Sequence, residues 1–132
     1  MRARGAWLAA AALAGCEPGA PADEGPRSAR EAMAQWARCS FDGVGEGPTA
    51  GQLEGAMRQA LRRERARWVV RAGRCEDALA VRGETPACLR GLRARWAEML
   101  PVAQRGVDDA IETDVAVRRV GEAWVAAQRG CP

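Results

Sequence analysis

The 132-residue chain has no histidine, no tyrosine and no lysine; all 20 of its basic residues are arginine. Without histidine it lacks the most common general base and metal ligand. Without lysine it has no side-chain amine to act as a nucleophile. Serine occurs only as Ser28 and Ser40. No C-x-x-C pair is present to serve as an attacking thiol and its resolver, and the last four cysteines, Cys39, Cys75, Cys88 and Cys131, are separated by 35, 12 and 42 residues. Those intervals fit a disulfide framework and not the close ligand pairs of a zinc site. No cofactor, no metal and no enzymatic activity are expected. The one catalytic alternative is a weak hydrolase using the loop carboxylates Asp42 and Glu46, which read first as solvated loop acids.

No apolar run approaches the ~20 residues that cross a bilayer. The run that exists is short: Ala6 to Leu13, behind a positive segment with Arg2 and Arg4. This is the layout of a secretory signal. Leu13-Ala14-Gly15-Cys16 follows it and resembles the lipobox of bacterial lipoproteins. The resemblance implies that residues 1–15 are a signal peptide and that Cys16 becomes an acylated N-terminus. Several acyl chains together give stable anchoring, where one alone holds only marginally. Glu17 stands where an Asp tends to retain enteric lipoproteins in the inner membrane, so the outer membrane or cell surface is the expected location. The partners implied are the membrane, through Cys16, and an envelope protein.

Removing residues 1–15 leaves 117 residues and lowers the formal charge from +3 to +1, because Arg2 and Arg4 leave with the signal. Near-neutrality and export both argue against a nucleic-acid partner. Residues 16–27, the acylated cysteine and a stretch rich in proline and glycine, read as a flexible tether. Residues 28–132 then form one domain.

Ser28-Ala29-Arg30-Glu31 and Thr49-Ala50-Gly51-Gln52 are capping boxes that start two helices. The glycine-rich segment from Ser40 to Pro48 is the loop between them. Ala29, Ala32, Met33, Trp36, Ala37 and Ser40 share one face of the first helix. Leu53, Ala56, Met57, Ala60, Leu61, Trp68, Ala72, Cys75 and Leu79 share a face of the second, interrupted by polar Glu64 and Arg65. The second helix is expected to run to about Val81 and stop at Gly83, with Gly73 marking a bend. Thr85-Pro86 should begin a third helix as N-cap and N1, with Leu89, Leu92, Trp96, Met99, Leu100 and Ala103 inward and a kink or end at Pro101. A fourth should begin near Val107 with Asp108, Asp109 and Glu112 in its first turns, bury Val107, Ala110, Ile111, Val117, Gly121, Trp124 and Val125, and close on a left-handed cap at Gly130. No segment alternates as strands do. The expected fold is all-α: a small bundle of about four helices with two disulfides.

Each of the four later tryptophans has a cysteine on its own helix. If the second and third helices form a central antiparallel hairpin turning at Arg82 to Glu84, Trp68 faces Trp96 and Cys75 faces Cys88. A Cys75–Cys88 bond closing that short loop would contribute roughly 3 kcal/mol, leaving Cys39 to pair with Cys131. The nine-residue loop is long enough to let the first helix run parallel to the second.

Arg58, Arg62, Arg63, Arg65, Arg67, Arg71 and Arg74 place seven arginines within seventeen residues. The run reads first as a solvated helix flank, partly neutralised by Asp108, Asp109, Glu112 and Asp114. Its alternative is a guanidinium surface for phosphates, acidic glycans or an anionic protein. Arg65 to Cys75 also has some similarity to the Trp- and Cys-bearing helix of small periplasmic lysozyme-inhibitor-like domains, with Arg where that family has Gln and a Trp-to-Cys interval one residue shorter. That similarity implies an inhibitor or accessory factor of a cell-envelope enzyme. The reading adopted is a lipid-anchored, non-enzymatic binding or structural module.

Overall fold

The computed structural model describes residues 25–105 and 110–132. The signal segment, Cys16, Glu17, most of the tether, Gly106, Val107, Asp108 and Asp109 lie outside the described residues. Four helices form the domain: α1 (Ala29–Ser40), α2 (Ala50–Cys75), α3 (Arg90–Arg105) and α4 (Ala110–Gly130). No strand occurs among the described residues.

Both N-terminal caps form, but only the second closes into the full capping box expected of each. The Ser28 hydroxyl accepts from the Glu31 N–H at 3.1 Å, while the Glu31 carboxylate accepts from the Arg27 N–H, one residue before the cap. Thr49 and Gln52 make the complete reciprocal pair, at 3.1 and 2.9 Å. Each cap satisfies backbone donors that a helix start leaves unpaired.

Helix α2 breaks at Glu64 (φ −143°, ψ 50°), where polar residues interrupt its apolar face, and not at Gly73. The two halves of α2 have different partners. Before the break, Glu54 lies over Gly121 of α4 and Arg58 pairs with Asp114. After it, the Trp68 and Trp96 rings meet edge to face at 5.7 Å, and the Trp96 indole N–H donates to the Ala72 carbonyl at 3.3 Å. Arg65, at the break, donates to the Ala103 carbonyl of α3 at 2.7 Å. The break lets each half align with its own neighbour.

The connection from α2 to α3 corrects the tight hairpin. Helix α2 stops at Cys75, not near Val81, and short 3-10 turns follow at Glu76–Ala78 and Ala87–Leu89. Between them Arg82 and Gly83 both have positive φ, 55° and 86°, and Val81 and Glu84 exchange both backbone hydrogen bonds. Gly83 therefore completes a two-residue reverse turn and is not a helix stop. Thr85 is not a cap either: its hydroxyl accepts from Arg93 at 2.6 Å, and Arg93 also reaches Glu76 and Asp77, tying this connection to α3.

The disulfides change with it. Cys39 bonds Cys75 and Cys88 bonds Cys131, with Cα separations of 5.7 and 5.4 Å, in place of the expected 75–88 and 39–131 pairs. The antiparallel register between Trp68 and Trp96 holds. It cannot extend to Cys75 and Cys88, because residues 76–89 leave the helical path. The place beside Cys75 belongs to the end of α1: Trp68 Nε1 donates to the Ser40 carbonyl at 2.9 Å and Arg71 Nε to the Cys39 carbonyl at 2.8 Å. The C-terminal ends of α1 and α2 thus meet, as the loop length allows.

Two expectations for α4 also need correction. Ile111 is 80% exposed and contributes nothing to the core. Gly130 remains helical, without the left-handed backbone of a cap; Cys131 N–H reaches back to Ala127, and Arg30 of α1 donates to the carbonyls of Gln128 and Cys131. That guanidinium satisfies the last-turn acceptors a left-handed cap would otherwise satisfy. In α3, Pro101 sits inside the helix on its exposed side without ending it.

The core centres on Trp36, fully buried and 4.9 Å from Trp96, 5.7 Å from Trp124 and 5.9 Å from Phe41 between ring centroids. Trp124 Nε1 donates to the Pro48 carbonyl at 2.8 Å, pinning the α1–α2 loop to α4. All four helices therefore converge on one aromatic cluster.

Candidate functional site: an arginine-lined cleft

The seven arginines of α2 do not form one surface. Arg58 pairs with Glu54 (3.5 Å) and Asp114 of α4. Arg62 lines a shallow groove beside Arg58, Arg65, Thr113 and Asp114, and Arg65 turns inward to Ala103. Arg63, just before the break, and Arg67 and Arg71, one turn apart after it, line a cleft of about 210 Å³ against the end of α1. Arg74 is exposed and has no polar partner among the described residues.

Ser40, Phe41 and Asp42 form one wall of the cleft; Gln59, Glu64, Trp68 and the three arginines form the other. Its apolar lining includes the Phe41 and Trp68 rings, stacked at 5.8 Å and 26°. Arg67 holds Glu64 at 2.9 Å, and Arg71 holds Asp42 at 3.0 Å. Arg63 has no ion-pair or hydrogen-bond partner among the described residues. The Ser40 hydroxyl and the Trp36 indole N–H are both buried without a hydrogen-bond partner.

The two loop acids considered for hydrolysis are engaged by different arginines: Asp42 by Arg71, and Glu46 by Arg38 at 3.8 Å. The Arg71 hydrogen bond, helped by its charge, holds the Asp42 carboxyl below the usual carboxylate range. A general acid needs a shift in the opposite direction. Asp114 is lowered as well, first by the hydrogen bond from Arg58, with the Arg58 and Arg118 charges adding to it. Glu112 pairs with Arg105 of α3.

Among the described residues no three acidic, cysteine or histidine side chains gather as a metal site would require, and no helix is long and apolar enough to cross a membrane. The four cysteines are consumed by the disulfides. Guanidinium groups recognise oxyanions through paired N–H donors. The cleft offers three of them beside the Phe41 and Trp68 rings, at a size suited to one small group and below that of a typical drug-sized pocket. The sequence singled out the arginines but not Gln59, Ser40 or Phe41 as their neighbours. The spacing of residues 59, 63, 67 and 71 was the available signal for Gln59.

No family model, curated protein or solved structure matches the chain.

Proposed function

We propose that this is a lipid-anchored envelope protein whose disulfide-pinned helical domain is a non-enzymatic binding module, with the arginine-lined cleft as its binding surface. The observation that carries the reading is the row Arg63, Arg67 and Arg71, of which Arg63 is uncommitted and the other two face acids that are themselves exposed. Two disulfides in one small domain are consistent with an oxidising compartment. Export accords with the lipobox-like Leu13 to Cys16, and Glu17 favours the outer membrane or cell surface.

A narrower reading, inhibitor or accessory factor of an envelope enzyme, draws on the similarity of Arg65 to Cys75. That segment forms one wall of the cleft, but its Trp68 is a core residue and its Cys75 a disulfide partner. On this reading the arginines, not the tryptophan, would meet the enzyme.

Expression of the full chain in a lipoprotein-processing bacterium tests the anchor. The wild type should fractionate with membranes and begin at an acylated Cys16. Cys16→Ser should abolish acylation and move most of the protein out of the detergent-extractable pool. An unacylated Cys16 in the wild type would contradict the anchored reading.

A further inference from the structure

We infer that the cleft binds a phosphodiester, held between Arg63 and Arg67 with Arg71 as the third donor, and supplied by the phospholipid headgroups near which the domain is tethered. This rests on the anchored-module reading above.

Charge sets the valence of the ligand. Three arginines face two carboxylates, Asp42 and Glu64, so the cleft carries one uncompensated positive charge. A singly charged anion restores neutrality. A phosphomonoester dianion would overshoot.

Geometry favours a tetrahedral group over a carboxylate. Arg63 and Arg67 stand on opposite sides of the break at Glu64, and both line the cleft, so two guanidinium forks are available to one ligand. One guanidinium fork satisfies both oxygens of a planar carboxylate. A phosphodiester presents two charged oxygens and two ester oxygens at tetrahedral angles, enough for two forks. Asp42 and Glu64 already offer carboxylates as part of the chain, which a free carboxylate must displace with no geometric gain. A diester also has a substituent on each side of the phosphate, and a cleft of about 210 Å³ with Phe41 and Trp68 in its lining has room for them.

The source follows from reach. Residues 17–27 span at most about 40 Å when extended, so a domain tethered through Cys16 stays close to a surface covered in phosphodiesters.

The mature lipoprotein in alkyl maltoside micelles, which contain no phosphate, is titrated with dimethyl phosphate and separately with acetate, following the arginine Nε–H resonances. The expected result is saturable shifts at Arg63 and Arg67 with dimethyl phosphate and binding roughly tenfold weaker with acetate. Arg63→Ala with Arg67→Ala should weaken the dimethyl phosphate response by roughly a hundredfold or more, the loss of at least two charge-assisted hydrogen bonds. Arg62→Ala, outside the cleft, should leave it unchanged. Because, among the described residues, Arg63 has no polar partner and Arg67 pairs only with exposed Glu64, the double variant should retain its fold, and an unaltered Cys39–Cys75 bond verifies this. The same resonances already shifted in phosphatidylglycerol nanodiscs, with no added probe, identify the headgroup as the source. A shift that appears only on adding dimethyl phosphate supports phosphodiester recognition but overturns the lipid source. Acetate binding as tightly as dimethyl phosphate, or a double variant that binds like wild type, overturns the inference and leaves the binding module intact. If neither anion binds, the binding-module reading fails as well.

Discussion

Reduction of both disulfides is expected to leave the domain without a cooperative unfolding transition near room temperature. The bonds close loops with sequence separations of 36 and 43 residues. In the chain-entropy treatment each contributes about 4 kcal/mol. The two loops follow one another along the chain without overlapping, so their contributions add to about 8 kcal/mol, within the total of about 5–15 kcal/mol that holds a small domain together. Thermal melts followed by circular dichroism, with and without reductant, measure the effect. A drop of several tens of degrees is expected, following the usual few degrees per kcal/mol for a domain of this size. Replacing either pair by serine should produce about half of it. A shift of only a few degrees on full reduction would mean that the aromatic core alone carries the fold.

Trp36→Ala should cost about 3–5 kcal/mol, the range for truncating a buried aromatic residue. Trp36 is 0% exposed and is the ring that Phe41, Trp96 and Trp124 share, so its removal leaves a void that three elements line. Phenylalanine scanning sharpens the test. The Trp36 indole N–H has no partner among the described residues, so Trp36→Phe removes ring volume and leaves no acceptor there stranded. Trp68→Phe also strands the buried Ser40 carbonyl, a further penalty of about 1–3 kcal/mol. Urea denaturation should therefore rank Trp68→Phe as the more damaging change. The reverse ranking would contradict this description of the core.

What could be read from the sequence followed the range of each signal. The caps at Ser28 and Thr49 depend on side chains three residues apart, and both form. The face of α1 and the meeting of Trp68 with Trp96 depend on helical periodicity, which survives packing. The end of α2 does not depend on it. Gly83 has the signature of a helix stop, yet the chain leaves the helix at Cys75 and folds two 3-10 turns around a tight reverse turn. Gly73 drew attention as a weak helix former, but the different neighbours of the two halves of α2 place the break at Glu64.

The cysteine pairing departs furthest from the sequence expectation, for a specific reason. Extending the Trp68–Trp96 register to residues 75 and 88 assumed two regular helices joined by a three-residue turn. Allowing α1 to run parallel to α2 brings Cys39 to the end where Cys75 lies, and the side-chain bonds of Trp68 and Arg71 to the Ser40 and Cys39 carbonyls seat it there. The arginine run failed as one surface for a related reason. A long helix between two partners presents different flanks to each, so Arg58, Arg62 and Arg65 face one groove and Arg63, Arg67 and Arg71 another.

The cleft exists only because the end of α1 is fastened beside the arginine row, and Cys39 bonded to Cys75 is the fastening. Tryptic digestion of the oxidised protein under non-reducing conditions, followed by mass spectrometry, tests this most directly, since an arginine separates every pair of neighbouring cysteines. The expected products are one linked peptide pair containing Cys39 and Cys75 and another containing Cys88 and Cys131. Recovery of Cys75 linked to Cys88, with Cys39 linked to Cys131, would contradict both the fold and the cleft built on it.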